Sequence, residues 1–210
     1  MSTLYNLIAG QSVERLAALS DGLFAIAMTL LVLDLRVPVS GAIHTDLDLW
    51  HKLVDLVLPR FIPYFMSFLT LGIFWVGQQT QLNRFARSDR NLAWIHLGFL
   101  LAVSLMPFST ALLAEFITFR LALVVYWLNV LLLGVVLFGS WRYAWRAGLV
   151  KDDTTVEMSS AVERRIVIAQ ALYGLGALLC VVSTYVSIAF IVLVQLNYVI
   201  APRIRPLYRL

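Results

Sequence analysis

Charge is scarce in this chain. Asp, Glu, Lys and Arg make up 13% of its 210 residues, against 61% hydrophobic residues. A soluble domain carries about a quarter charged residues and under half apolar ones. This composition therefore excludes an ordinary soluble enzyme and leaves almost nothing for a domain outside a membrane. Cysteine is scarcer still. Cys180 stands alone inside an apolar run, so no disulfide within one chain is possible. Histidine occurs only as His44, His51 and His96. There is no HExxH, no GxSxG, no phosphate-binding glycine loop and no cysteine pair, so no catalytic role, metal or cofactor is expected. The first ten residues lack the basic stretch and small-residue cleavage site of a signal peptide, which predicts that the first apolar run is a retained helix. No strand-like alternation, long Gly/Ser linker or convincing internal repeat occurs.

What is present is long apolar runs. A helix that crosses a bilayer needs about 20 mainly apolar residues. Six segments qualify, at about 13–35, 56–78, 91–114, 119–141, 162–182 and 185–204. The reading is an all-α polytopic membrane protein with residues 1–210 as a single transmembrane domain. Pro59 and Pro63 fall near the start of the second segment, where proline is best tolerated. Pro107 falls in the second half of the third and frees a backbone carbonyl that serine or threonine can help to satisfy.

The net charge of +4 is spread over loops, which membrane orientation explains better than nucleic-acid binding does. With six spans and both ends on one side, twelve of the sixteen Lys and Arg residues fall on that side. The four others, Arg36, Lys52, Arg60 and Arg120, fall opposite. The positive-inside rule then places both termini in the cytoplasm. Residues 37–55 form the longest outer loop, where His44 and His51 lie seven apart and read as solvated side chains, not as a metal site. His96, deep among apolar neighbours, reads as an interhelical hydrogen-bonding group before a proton relay.

The first segment holds the most informative pattern. Arg15, Ser20 and Asp21 precede a long apolar run that Asp34 and Arg36 interrupt. Ionisable groups at such depth default to a functional hypothesis; the plainer alternative makes Ser20 or Asp21 a helix cap and puts Arg15 at the headgroups. Gly22, Ile26, Leu30, Leu33 and Val37 recur at helical spacing and form one stripe, with Thr29 at its border. An apolar collar between polar mouths is what a hydrophobic gate requires, because a narrow ring of such side chains resists wetting. One helix cannot enclose a pore, so a gate here demands symmetric association. Asp34, one residue beyond Leu33, would add a carboxylate ring at the outer mouth or pair with Arg36 or Arg60; the sequence leaves both open. The glutamines at 78, 79 and 81 read as polar glue or, more simply, as surface.

These residues resemble a known family. The run Arg15-xxx-Leu19-Ser20-Asp21-Gly22, continued by Phe24-Ala25-Ile26-Ala27-Met28-Thr29-Leu30, is similar to the signature first helix of the prokaryotic relatives of transmembrane protein 175, the endolysosomal potassium channel family. Phe74-Trp75, the Arg84–Arg90 loop and Met106-Pro107-Phe108-Ser109-Thr110 add to the likeness, which spans residues 15–115. The resemblance implies a potassium-permeable cation channel in a prokaryotic plasma membrane. It implies a six-helix protomer without a re-entrant filter loop, assembled as a homotetramer around its first helices. Ile26 would form the narrowest ring, with Leu30 and Leu33 as further rings. Arg15, Ser20, Asp21, Gly22, Trp75 and His96 would belong to the motif and the network that packs the helices. Four positions depart from the pattern: Leu19 stands where phenylalanine is usual, Gln78 and Gln79 where a histidine pair is usual, and His96 where asparagine is expected. Nothing resembles TVGYG, so selectivity for potassium should be modest. The rival function is a secondary transporter or proton-coupled carrier, which would be expected to show broken helices or repeats around a polar midplane site.

Overall fold

The computed structural model describes residues 12–37 and 43–200. Seven α-helices occur among them. Helix α1 (Val13–Leu30) starts at Ser12, whose hydroxyl accepts from the Arg15 N–H at 3.3 Å. Ser20 and Asp21 lie well inside the helix, so the capping alternative for them is overturned. The expected helix over 13–35 is α-helical only to Leu30 and tightens into a 3-10 turn over Leu31–Asp34. Just before the change, the Thr29 hydroxyl donates back to the Ala25 and Ile26 carbonyls at 3.0 and 2.8 Å. Such back-bonding competes with the regular ladder and bends helices.

Helix α2 (Asp46–Leu82) has 37 residues and begins about ten residues earlier than the apolar run. The cause is a capping box: Thr45 accepts from the Asp48 N–H at 3.1 Å while the Asp48 carboxylate accepts from the Thr45 N–H at 3.1 Å. The long outer loop expected over 37–55 is therefore helical from Asp46 onward. His44 precedes this helix and His51 lies on it, so the two do not share a helix face. Pro59 and Pro63 sit in the helix interior, yet Pro59 opens its apolar part, Pro59–Leu82.

The third apolar segment is broken in two. Helix α3 (Arg90–Ser104) ends at Leu105 and α4 (Met106–Glu115) resumes with Pro107 in its first turn. Pro107 has no N–H to continue the ladder. Asn129 of α5 (Arg120–Arg146) repairs the break. In the amide orientation that satisfies both its ends, it donates to the Ala102 carbonyl at 3.0 Å. It accepts from the Met106 N–H at 3.2 Å and the Ser109 hydroxyl at 3.1 Å. Gly148, at φ 62°, ends α5. A short bridge then ties the α2–α3 and α5–α6 connections, with Ala86 donating to Leu149 at 2.8 Å and Lys151 to Arg84 at 2.9 Å.

Helix α6 (Val156–Leu178) is capped by Thr155, runs into a 3-10 turn at Leu179–Val181, and is followed by α7 (Thr184–Ile200). Helix α5 is central, packed chiefly against α3, α4 and α6. At Gly134 it comes so close to α6 that an added Cβ would lie 2.0 Å from the Gln170 side chain. Small residues permit such approach in membranes, where packing, not exclusion from water, holds helices together. Among the described residues five stretches are long and apolar enough to cross a membrane: Val13–Asp34, Pro59–Leu82, Arg90–Glu115, Arg120–Arg146 and Val156–Val181. Helix α7 is apolar and 17 residues long; residues 201–204, expected to complete the sixth span, lie outside the described residues.

Candidate pore helix and the polar network that holds it

Helix α1 has two faces. Leu16, Ser20, Phe24, Ala27 and Leu31 are buried against α2 and α3. Phe24 meets Phe99 of α3 with ring centres 6.0 Å apart. On the opposite face Ile26, Leu30 and Leu33 are 56%, 44% and 72% exposed. Gly22, on the same stripe, would meet nothing within 4 Å if it carried a Cβ. The apolar stripe seen in the sequence is thus the uncovered side of α1 in the protomer.

The covered side is pinned at one end by hydrogen bonds. Ser20 is fully buried, and its hydroxyl donates to the Leu16 carbonyl at 3.0 Å. It also meets His96 Nε2 of α3 at 2.8 Å, and the same ring nitrogen lies 3.1 Å from the Leu16 carbonyl. The other ring nitrogen, Nδ1, faces Gln78 Nε2 of α2 at 3.4 Å. One imidazole therefore joins three helices. Beside it Asp21 Oδ1 accepts from Trp75 Nε1 at 2.8 Å and from Gln79 Nε2 at 2.7 Å, both on α2. A carboxylate acceptor makes both bonds stronger than neutral ones. The Gln81 amide donates to the Leu137 carbonyl of α5 at 3.2 Å.

Ser20 meets His96, and Asp21 beside it meets Trp75. Two members of the expected network make no such contact. Gly22 faces away from every neighbour, and Arg15 is exposed with no side-chain hydrogen bond or ion pair among the described residues. Of the two readings of the glutamines, surface and polar glue, the structure supports the second. All three make interhelical bonds, and the signal for this in the sequence is their clustering at the end of an apolar helix.

The far end of α1 is held by charge. Arg60 of α2 lies 3.5 Å from Asp34 Oδ1 and donates to Glu115 Oε2 of α4 at 2.5 Å. Of the two readings left open for Asp34, the protomer contains the Arg60 pair. Deeper in the bundle Thr70 meets the Tyr126 hydroxyl at 2.9 Å and accepts from Gln195 Nε2 at 2.6 Å, tying α2, α5 and α7.

Comparison with known proteins agrees with this architecture. The family model for "Endosomal/lysosomal potassium channel TMEM175" matches residues 15–107, the stretch that carries the pinned helix and its partners. A Streptomyces collinus protein named as a potassium channel is 34% identical over 177 residues, 82% of each chain. One from Chamaesiphon minutus, also named as a potassium channel, is 29% identical over 184 residues, covering 83% of this chain and 87% of its own. The crystal structure of a lysosomal potassium-selective channel TMEM175 homologue from Chamaesiphon minutus superposes with a TM-score of 0.78 at 27% identity, covering 90% of this chain and 97% of that one. The chain belongs to the TMEM175 family of ion channels.

Proposed function

We propose that this protein is the protomer of a potassium-permeable cation channel whose conduction path is closed by apolar side chains of α1. The observation that carries the reading is the division of α1 into a pinned polar face and an uncovered apolar one. Hydrogen bonds at Ser20 and Asp21 and the ion pair at Asp34 fix the rotation of the helix about its axis. Ile26, Leu30 and Leu33 then point away from the protomer. Four copies around an axis would place these side chains in successive rings, with Ile26 narrowest. Such rings exclude water unless the helices part. Arg15 lies in line with the stripe at the side of the termini, and Thr29 borders it.

The assembly is a homotetramer in the plasma membrane of a prokaryote, crossing it six times with both termini cytoplasmic. The charge distribution and the named potassium channels among its relatives support this. Permeation of K+ and other monovalent cations needs no cofactor.

The test is single-channel recording from purified full-length protein in a planar bilayer with potassium gradients. Discrete steps that reverse near the potassium equilibrium potential are expected. Slow flux coupled to a second ion would establish a carrier instead, and silence from correctly assembled protein would leave a scaffold.

A further inference from the structure

The outer end of α1 is wound more tightly than the rest of the helix. Over Leu31–Asp34 the chain is a 3-10 turn, closed by the Leu35 N–H on the Val32 carbonyl at 3.0 Å. Two side chains of this turn face the protein: Leu31 is buried, and Asp34 reaches Arg60 of α2 across 3.5 Å. The other two, Val32 and Leu33, are exposed. Positions i and i+3 eclipse in a 3-10 helix, which puts Leu31 and Asp34 on one line. Ordinary α-helical winding, at about 100° per residue, would leave Asp34 about 60° short of Leu31. The shortfall is toward Leu30, so the carboxylate would stand about 40° from the line of Leu30, at the edge of the uncovered stripe. The tight turn is thus what carries the carboxylate round to Arg60. The same winding sets Leu33, which lies within about 20° of the Leu30 line in a 3-10 turn and about 60° from it in an α-helix.

The ion pair is unequal. Arg60 is held independently of Asp34, because its Nη2 donates to Glu115 Oε2 of α4. Asp34 depends on Arg60, its one ion-pair partner among the described residues. The contact is made by charge alone: Arg60 Nη1 and the second carboxylate oxygen, Asp34 Oδ2, are buried without a hydrogen-bond partner. A buried charge that loses its partner is strongly destabilised. For Asp34 the way to water is the turn toward the stripe that α-helical winding gives.

We infer that Arg60 is a positioning residue for the outer mouth of the conduction path. By holding Asp34 on the covered side of α1, it keeps a carboxylate out of that mouth and keeps Leu33 above Leu30. The mouth is therefore apolar and uncharged at Leu33 although a carboxylate follows directly in the sequence. The inference rests on the reading that α1 lines the path, and it adds what decides the charge at the path's outer end.

The test is single-channel conductance of full-length protein at about 0.01 M salt, where a charge acts over about 30 Å, and at about 1 M, where it acts over about 3 Å. Arg60→Gln should raise the ratio of low-salt to high-salt conductance about threefold, below the roughly tenfold or more that charge focused in a cleft supports. Arg60→Lys should restore the ratio of the unaltered protein. In an Asp34→Asn background, Arg60→Gln should leave the ratio where Asp34→Asn alone puts it. An equal rise in both backgrounds would mean that Arg60 acts by its own charge, and would overturn the positioning role. So would no rise at all, as pairing of the freed carboxylate with Arg36 would give. A second readout follows the winding. With Cys180 replaced by serine, Arg60→Gln should slow disulfide-linked dimer formation by Leu33→Cys severalfold, since Leu33 turns away from the line of Leu30; an unchanged rate would overturn the inference. If Arg60→Gln fails to assemble, Arg60→Gln with Glu115→Gln strands one carboxylate instead of two and carries the same comparisons against Glu115→Gln alone. Failure confined to the Arg60 variants strikes Arg60 only. Absence of both conductance and Leu33→Cys dimers with Arg60 in place would overturn the pore reading of α1, and this inference with it.

Discussion

Ile26 is an apolar side chain left more than half exposed at the middle of a helix whose opposite face is fully packed. Replacing it with asparagine should ease wetting of the narrowest ring and raise cation conductance severalfold; unchanged conductance from normally assembled protein would remove Ile26 from the gate. Asp21 carries a different role. Its carboxylate takes two donors from α2, so Asp21→Ala strands both the Trp75 indole and the Gln79 amide. The expected cost is about 1–3 kcal/mol, read as a lower Tm and less tetramer by size-exclusion chromatography, with ion preference similar in surviving channels. A selectivity change at normal stability would place Asp21 in the ion path instead. Much of this site was legible in the sequence, because polar residues inside an apolar helix have few explanations. The partners were less so. Gln78, Gln79 and Gln81 look like the polar end of a helix until α1, α3 and α5 are brought against it. Arg15 and Gly22 share the motif but not the contacts, since residues on one helix divide by angle and not by sequence proximity.

At the scale of the element, both ends of α1 are anchored on α2, by hydrogen bonds near Asp21 and by the Arg60 pair near Asp34. Asp34→Asn should leave Arg60 still bound to Glu115 and cost about 1 kcal/mol. Any change in conductance should be the same at low and high salt, because a paired carboxylate acts locally. A loss confined to low ionic strength would mark a long-range carboxylate ring, which salt screens. The start of α2 gives a pH prediction. The Thr45 hydroxyl bond, followed by the His44 backbone bond, holds the Asp48 carboxyl below its ordinary value. A depressed pKa stabilises the charged form, so this capping is fully present above the ordinary carboxylate range, near pH 4, and is lost as pH falls through the lower folded value. Amide exchange in the first turns of α2 should therefore stay protected down to about pH 4 and fray below it; fraying already at pH 6 would refute the capping account. The apolar cores of the helices were readable from hydropathy alone. Their ends were not. Hydropathy cannot see a Thr45–Asp48 capping box beyond the apolar run, nor the break at Leu105, where the repair comes from Asn129, 24 positions further along the chain.

For the whole molecule, the protomer leaves one face of its first helix uncovered, and closed symmetry is the simplest way to cover it. The lone cysteine makes this testable. Cys180 is buried, 7% exposed. In a Cys180→Ser background, Leu33→Cys should form disulfide-linked dimers under mild oxidation, because copies around a narrow axis bring their Cα atoms within roughly 7 Å. Leu128→Cys, exposed on α5, should stay monomeric. Monomers from both variants would place α1 away from the axis. Six crossings and the orientation are expectations from charge and hydropathy, and no contact within one protomer bears on either.

The imidazole of His96 facing the amide of Gln78 has a consequence for which side chains this junction can hold. The family resemblance implies imidazole on α2 and amide on α3; this chain carries amide on α2 and imidazole on α3. The implied pair and the one seen here put the same two kinds of group on opposite helices. Each can present a donor and an acceptor, so the exchange keeps the junction bonded while altering both letters. Neither replacement is neutral alone, because two imidazoles or two amides at this spacing differ in reach and volume. What the junction requires is a complementary couple, and its ionisable member can stand on either helix.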